Sequence, residues 1–146
     1  RVGTHLMWDS FLRHKIASGA DILLHPSSYE PGGIVAMEAM RYGCVPVARA
    51  TGGLADSVQN YDSAKGTGTG FTFKSFSEES FLVAVVRALE LYNNKNEWKK
   101  LVKRTMESNF SWENVAKEYL DLYRRVLKFR QEFLNPGART FKQVID

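Results

Sequence analysis

The chain has 146 residues, 44% hydrophobic and 25% charged, which is the size and make-up of one soluble globular domain that buries a core without staples. Its net charge of +4, from 20 basic and 16 acidic residues, is too small to point to nucleic acid by itself. The longest apolar run, Phe81 to Val86, stops at Arg87, well short of the roughly 20 residues that span a bilayer, and the first ten residues lack the apolar segment of a secretory signal.

The opening Arg1-Val2-Gly3-Thr4-His5 has no Met, so we read the chain as a piece of a longer one. Residues 11–19 carry Phe11, Leu12, Ile16 and Ala17 at helical spacing. The short apolar run in Ala20 to Ser27 ends at Pro26 and serines, which suits a buried parallel strand. A loop, Ser28 to Gly33, leads into a helix from Ile34 to Tyr42, stopped by Gly43 at its C′ position. Cys44 is the single cysteine, which excludes an intrachain disulfide. It reads as a small buried hydrophobe opening the strand Val45 to Ala48, with no base nearby in sequence to make it a catalytic thiol. Pro46 belongs near the start of that strand, because a proline removes a ladder donor.

After Thr51-Gly52-Gly53 a short helix is predicted from Leu54 to Val58, followed by an exposed polar loop from Asn60 to Thr69 and a strand over Gly70 to Phe73. Ser77 is the predicted N-cap of a helix whose first turn is acidic and whose buried face carries Phe81, Val85, Leu89 and Tyr92. Two more helices follow, from about Glu97 to Ser108 and from Ser111 through Leu127. Residues 1–135 then form one partial Rossmann-like domain, and residues 136–146, beyond Asn135, a tail. The basic residues Lys99, Lys100, Lys103, Arg104, Arg124, Arg125, Lys128 and Arg130 read as solvated helix faces, with a polyanion-binding patch as the alternative. Strands alternating with helices indicate an α/β fold, a Rossmann-like parallel sheet flanked by helices and closed by a helical C-terminal cap.

Two places carry candidate chemistry. The first, Pro26-Ser27-Ser28-Tyr29-Glu30-Pro31-Gly32-Gly33, puts a carboxylate and two glycines between a strand end and a helix start, where open α/β sheets bind ligands. Glycines admit ligand atoms to the backbone, and the helix N-terminus offers N–H groups to phosphate or sugar oxygens. An ordinary turn is the alternative, set lower because Glu30 has no evident packing reason to be there. Glu38, eight residues on, falls in the second turn of the helix. It is either an acceptor for a ribose diol or a surface residue in a salt bridge. The second place is Thr51-Gly52-Gly53-Leu54, a glycine turn after the next strand and so on the same sheet edge.

The ordered string Gly19-Ala20-Asp21, Pro26-Ser27, Glu30-Pro31, Gly33, Ala39-Met40-Arg41-Tyr42-Gly43, Val45-Pro46-Val47, Arg49, Thr51 to Val58, Gly70-Phe71 and Phe110-Ser111-Trp112 resembles the glycogen and starch synthases over roughly residues 5–127. The resemblance implies the C-terminal, donor-binding half of a two-domain GT-B glycosyltransferase. It implies a donor of ADP-glucose or UDP-glucose, an α-1,4-glucan acceptor bound through a preceding domain, retention at the anomeric carbon, and no metal or cofactor. It implies that Glu30 acts at the donor glucose and that Gly32, Gly33 and Ile34 line the sugar and diphosphate. Thr51, Gly52 and Gly53 would complete the donor site. Trp8 would stack on the base (its alternative is a core tryptophan), and His14 would support structure. It also implies a bacterial cytoplasm or a plant plastid as the compartment. Gly32 stands where many bacterial members have Cys, and Glu38 restores a Glu-x7-Glu pattern that many lack. The basic groups that neutralise the departing diphosphate would lie upstream, so the piece alone is expected to be inactive. A non-catalytic nucleotide-sugar-binding module, or a related retaining transferase with another acceptor, is the competing reading.

Overall fold

Three strands pair in parallel in the order β1 (Ile22–His25), β2 (Val45–Arg49), β3 (Phe71–Phe73). The computed structural model describes residues 2–7 and 9–134, and these fall in two compact units divided between Ser108 and Asn109. The first holds the sheet with α1 (Ser10–Gly19), α2 (Ile34–Arg41), α3 (Gly53–Ser57), α4 (Glu78–Asn93) and α5 (Lys95–Glu107); the second holds α6 (Trp112–Leu134). The expected tail at 136–146 and Trp8 lie outside the described residues. No helix among the described residues is long and apolar enough to cross a membrane.

Strand alternation sorts the core. Val45 and Val47 of β2 join Phe71 and Phe73 of β3 in a cluster with Ala84, Ala88, Trp98 and Leu101 from α4 and α5. Ala48, of the opposite parity, joins Ala36, Met40, Leu54 and Val58 from the α2 and α3 side. Helices therefore cover both faces, which is why β2 reads as a continuous apolar run rather than an alternating one. The expected α/β architecture is present.

Three expectations are corrected, for β1, α4 and the segment 60–70, and one, for Pro46, is met in a strand that proves central. β1 is parallel but not fully buried: it has one neighbour, and Leu24 is half exposed. Pro46 lies near the strand start, as expected, as the second residue of the central strand. It is tolerated because Val45 N–H points to β1, bonding Asp21 O at 2.9 Å, so the absent donor of Pro46 points the other way. On that side the ladder begins only at Val47 opposite Phe71. On α4 the buried line runs through Ala84 and Ala88, flanked by Phe81, Val85, Leu91 and Tyr92, while Leu89 is 48% exposed. At 3.6 residues per turn Leu89 lies roughly 80° from Phe81 and Ala88 only about 20°. The segment 60–70 is not simply an exposed loop. Tyr61 is buried, the segment closes by isolated bridges Asn60–Gly70 and Asp62–Thr67, and the Arg104 Nε–H donates to Gly68 O at 3.2 Å.

Helix ends follow local chemistry. Asp9 caps α1 by accepting Leu12 N–H at 2.9 Å, and Ser77 caps α4 by accepting Ser80 N–H at 3.2 Å. Asn94 both ends α4 and caps α5. Gly43, at φ 83, follows α2 as expected, with its N–H on Met40 O.

Candidate functional site

The two glycine turns follow β1 and β2 and lie together at the carboxyl edge of the parallel sheet. Gly33, at φ 70, is the N-cap of α2 and Ile34 is that helix's exposed first residue. Glu30 folds back over this turn. Its Oε1 accepts Gly33 N–H at 3.0 Å and Gly32 N–H at 3.4 Å, and its Oε2 lies 3.5 Å from His25 Nε2. The Gly33 amide first, then Gly32, with the His25 imidazole beside them, hold the Glu30 carboxyl below the usual carboxylate range.

Glu30 thus has a local reason to be where it is, contrary to the sequence expectation: it orders its own loop. The amides of Gly32 and Gly33, read from sequence as donors to a ligand, donate to Glu30. His25 was missed. Its only signal was position, as the last residue of β1 five before Glu30.

The turn after β2 packs directly on this one. Gly53 N–H donates to Glu30 O at 3.0 Å, and Thr51 O accepts Leu54 N–H at 3.1 Å to start α3. A Cβ on Gly52 would lie 2.2 Å from Glu30 O, and one on Gly53 2.5 Å from Gly32 O. The Gly-Gly pair is therefore required by the neighbouring chain before any ligand is considered. Arg49, at the end of β2, ties the same edge together: its Nε–H donates to Lys74 O at 3.2 Å and an Nη1–H to Ser28 O, with the guanidinium 5.3 Å from the Phe76 ring.

Glu38 belongs to a different wall. It lines a cavity of about 350 Å³ between α1, β1 and α2, together with Leu12, Arg13, Ile16, Leu23 and Val35. Glu30 is not among the residues that line it. The Arg13 Nη2 lies 3.1 Å from Glu38 Oε2 and 3.3 Å from Oε1. The salt-bridge reading of Glu38 is met by Arg13, and the residue also lines this cavity. His14 lines the same cavity, its ring 6.0 Å from that of Tyr42.

Residues 7–105 match the family described as Glycosyl transferases group 1, more than half of the chain. The chain belongs to the group 1 glycosyl transferases. A glycogen synthase of Koribacter versatilis is 43% identical over 130 residues, covering 89% of this chain and 27% of that protein. Among solved structures, the catalytic domain of starch synthase IV from Arabidopsis thaliana, bound to ADP and acarbose, superposes with a TM-score of 0.74 at 40% identity over 82% of this chain and 25% of that one. Sucrose-phosphate synthase from Thermosynechococcus elongatus superposes at 0.54 with 29% identity, over 77% of this chain and 27% of that one. The parallel sheet flanked by helices is thus the GT-B type of fold, and this group 1 glycosyl transferase chain spans about a quarter of the length of the relatives it matches.

Proposed function

We propose that the chain is the donor-binding part of a retaining glucosyltransferase that moves glucose from ADP-glucose or UDP-glucose to the non-reducing end of an α-1,4-glucan. The observation that carries the reading is Glu30, an ionised carboxylate fixed at the strand edge by two loop amides and His25, with two interlocked glycine turns around it. Its Oε1 is committed to the loop. Oε2, 3.5 Å from His25 Nε2, is the oxygen left to face a donor sugar, where negative charge favours the cationic character that develops at an anomeric carbon. Gly32 and Gly33 serve by holding Glu30, Ile34 presents the helix start to the sugar and diphosphate, and Thr51, Gly52 and Gly53 keep the second turn against the first. Glu38 accepts the ribose hydroxyls and Trp8 stacks on the base. This reading needs no metal and no cofactor.

The glycogen synthase and starch synthase similarities favour a glucan acceptor over the alternative suggested by the more distant sucrose-phosphate synthase likeness. The acceptor and the cations that neutralise the leaving diphosphate are assigned to chain outside these residues. The test is transfer of labelled glucose to glycogen from each donor, by the 146-residue chain and by the full-length protein. Transfer by the full-length protein and none by the piece is expected. Nucleotide-sugar binding without transfer by the full-length protein would instead establish a non-catalytic binding module.

A further inference from the structure

We propose that Arg13 is a positioning residue for the donor nucleotide: it holds the Glu38 carboxylate in place, turned toward the ribose diol. The proposal rests on the reading of Glu38 as the ribose acceptor. Glu38 sits on a cavity wall whose other members include Leu12, Ile16, Leu23 and Val35, and its side chain is about one-third exposed, at 32%. A carboxylate against such a wall is drawn to swing into water unless a cation holds it there. Arg13 is that cation. It reaches from α1 across to α2 and sets one nitrogen, Nη2, 3.1 Å from Oε2 and 3.3 Å from Oε1.

The arm that carries Arg13 is itself fixed. Arg13 N–H donates to Asp9 O at 3.1 Å, in the turn that the Asp9 side chain caps. Glu38 Oε2 is shut off from solvent beside Arg13, so of the carboxylate's acceptor directions those left for ribose hydroxyls belong to Oε1. A guanidinium remains charged at any pH the protein meets. The two side chains are 26% and 32% exposed, so thermal melting separates any contribution of the pair to folding from its effect on Glu38.

The experiment is calorimetric titration of the full-length protein and its variants with ADP and with 2′-deoxy-ADP, alongside thermal melting. Glu38→Gln and Arg13→Met are each expected to weaken ADP by about tenfold while melting near the unaltered protein. Arg13→Lys, which returns the charge without the planar fork, should recover part of the loss. In the Glu38→Gln background Arg13→Met should add almost nothing, because the two act through one contact. Losses for 2′-deoxy-ADP should be smaller than for ADP.

Unchanged or tighter ADP binding by Arg13→Met, with Glu38→Gln still weak, would overturn the positioning role alone. Equal losses for the two nucleotides on Arg13→Met, or additive losses in the double variant, would overturn it as well, since Arg13 would then meet the nucleotide directly. Full ADP affinity in Glu38→Gln would remove the ribose reading and the positioning role with it.

Discussion

The backbone N–H of Gly53 donates to the backbone carbonyl of Glu30 at 3.0 Å, so the turn leaving β2 is hydrogen-bonded to the turn leaving β1. The same N–H also reaches Pro31 O at 3.2 Å, and together these bonds hold the two glycine turns close and fix where Glu30 sits relative to the second turn.

Gly52→Ala tests that closeness. The added Cβ would stand 2.2 Å from Glu30 O, at a backbone φ of 47. At φ 47 and ψ −134 the backbone lies in a sparsely populated region that costs a non-glycine residue about 1–3 kcal/mol, and forcing a methyl into packed chain costs about 1–3 kcal/mol more. Gly66→Ala is the control, because Gly66 has φ 63 but nothing within 4 Å of its Cβ position. Urea denaturation should show Gly52→Ala losing clearly more stability than Gly66→Ala. Equal losses would mean that the contact with Glu30 carries no weight.

Glu30 gives a prediction in pH. Its folded pKa is lowered, by Gly33 and Gly32 amides first and by His25 after them. A lowered carboxylate pKa stabilises the fold at pH above the ordinary value, about 4.3 for Glu in unfolded chain. That contribution disappears as pH falls through the lowered folded value. Glu30→Gln keeps an acceptor for the loop amides but cannot titrate. The stability difference between the unaltered chain and Glu30→Gln should therefore be present at neutral pH and shrink below about pH 4. Denaturant melts of both proteins across that range decide it; a difference that stays constant or grows in acid would contradict the bonding described for Oε1. Activity in the full-length protein should fall for Glu30→Gln even where the fold holds.

Most of the fold was legible because its signals are local. Ser77, Gly43 and the apolar run at Val45 mark a helix start, a helix end and a strand by chemistry that acts within a few residues. The misplaced features depend on partners far along the chain. Leu89 looked buried on period alone, yet which line of α4 meets the sheet is decided by the small Ala84 and Ala88 against Phe71 and Phe73. Pro46 was readable as lying near a strand start, but the late start of β3 that makes it tolerable in a central strand is invisible from the sequence around it. At the site, the residue types and the sheet edge were readable. That the loop amides point at Glu30, that His25 stands behind it, and that Arg13 crosses 25 residues to reach Glu38 were not, since each is a tertiary contact with no spacing rule.

Ser77 supplies a stability prediction of ordinary size. Its side chain accepts the Ser80 N–H at 3.2 Å at the head of α4, the helix that places Ala84 and Ala88 on the sheet. Ser77→Ala should cost about 1 kcal/mol, and Ser77→Gly less, as at other N-caps. Equilibrium unfolding measures both. No loss in the alanine variant would show that α4 is held by its packing alone.

Cys44 is the strongest test of the core. The residue is 1% exposed, just before β2, and burial pushes its thiol up to about 11, with the nearby Asp21 charge adding to the effect. The thiolate is the form that alkylates. Against a free thiol near 8.5, the thiolate fraction at pH 8 is lower by on the order of a hundredfold or more, before any steric exclusion. Iodoacetamide at pH 8 should therefore label the native protein far more slowly than the same chain in urea, where both burial and the Asp21 contact are lost. Under native conditions the reaction should follow the opening of the fold, so a destabilising change such as Gly52→Ala should speed it. Asp21→Asn removes the charge but keeps the burial, the larger cause, and should change the native rate only modestly unless it also loosens the fold. Labelling of the native chain as fast as that in urea would place Cys44 outside the core and would undo the assignment of β2 as the buried central strand.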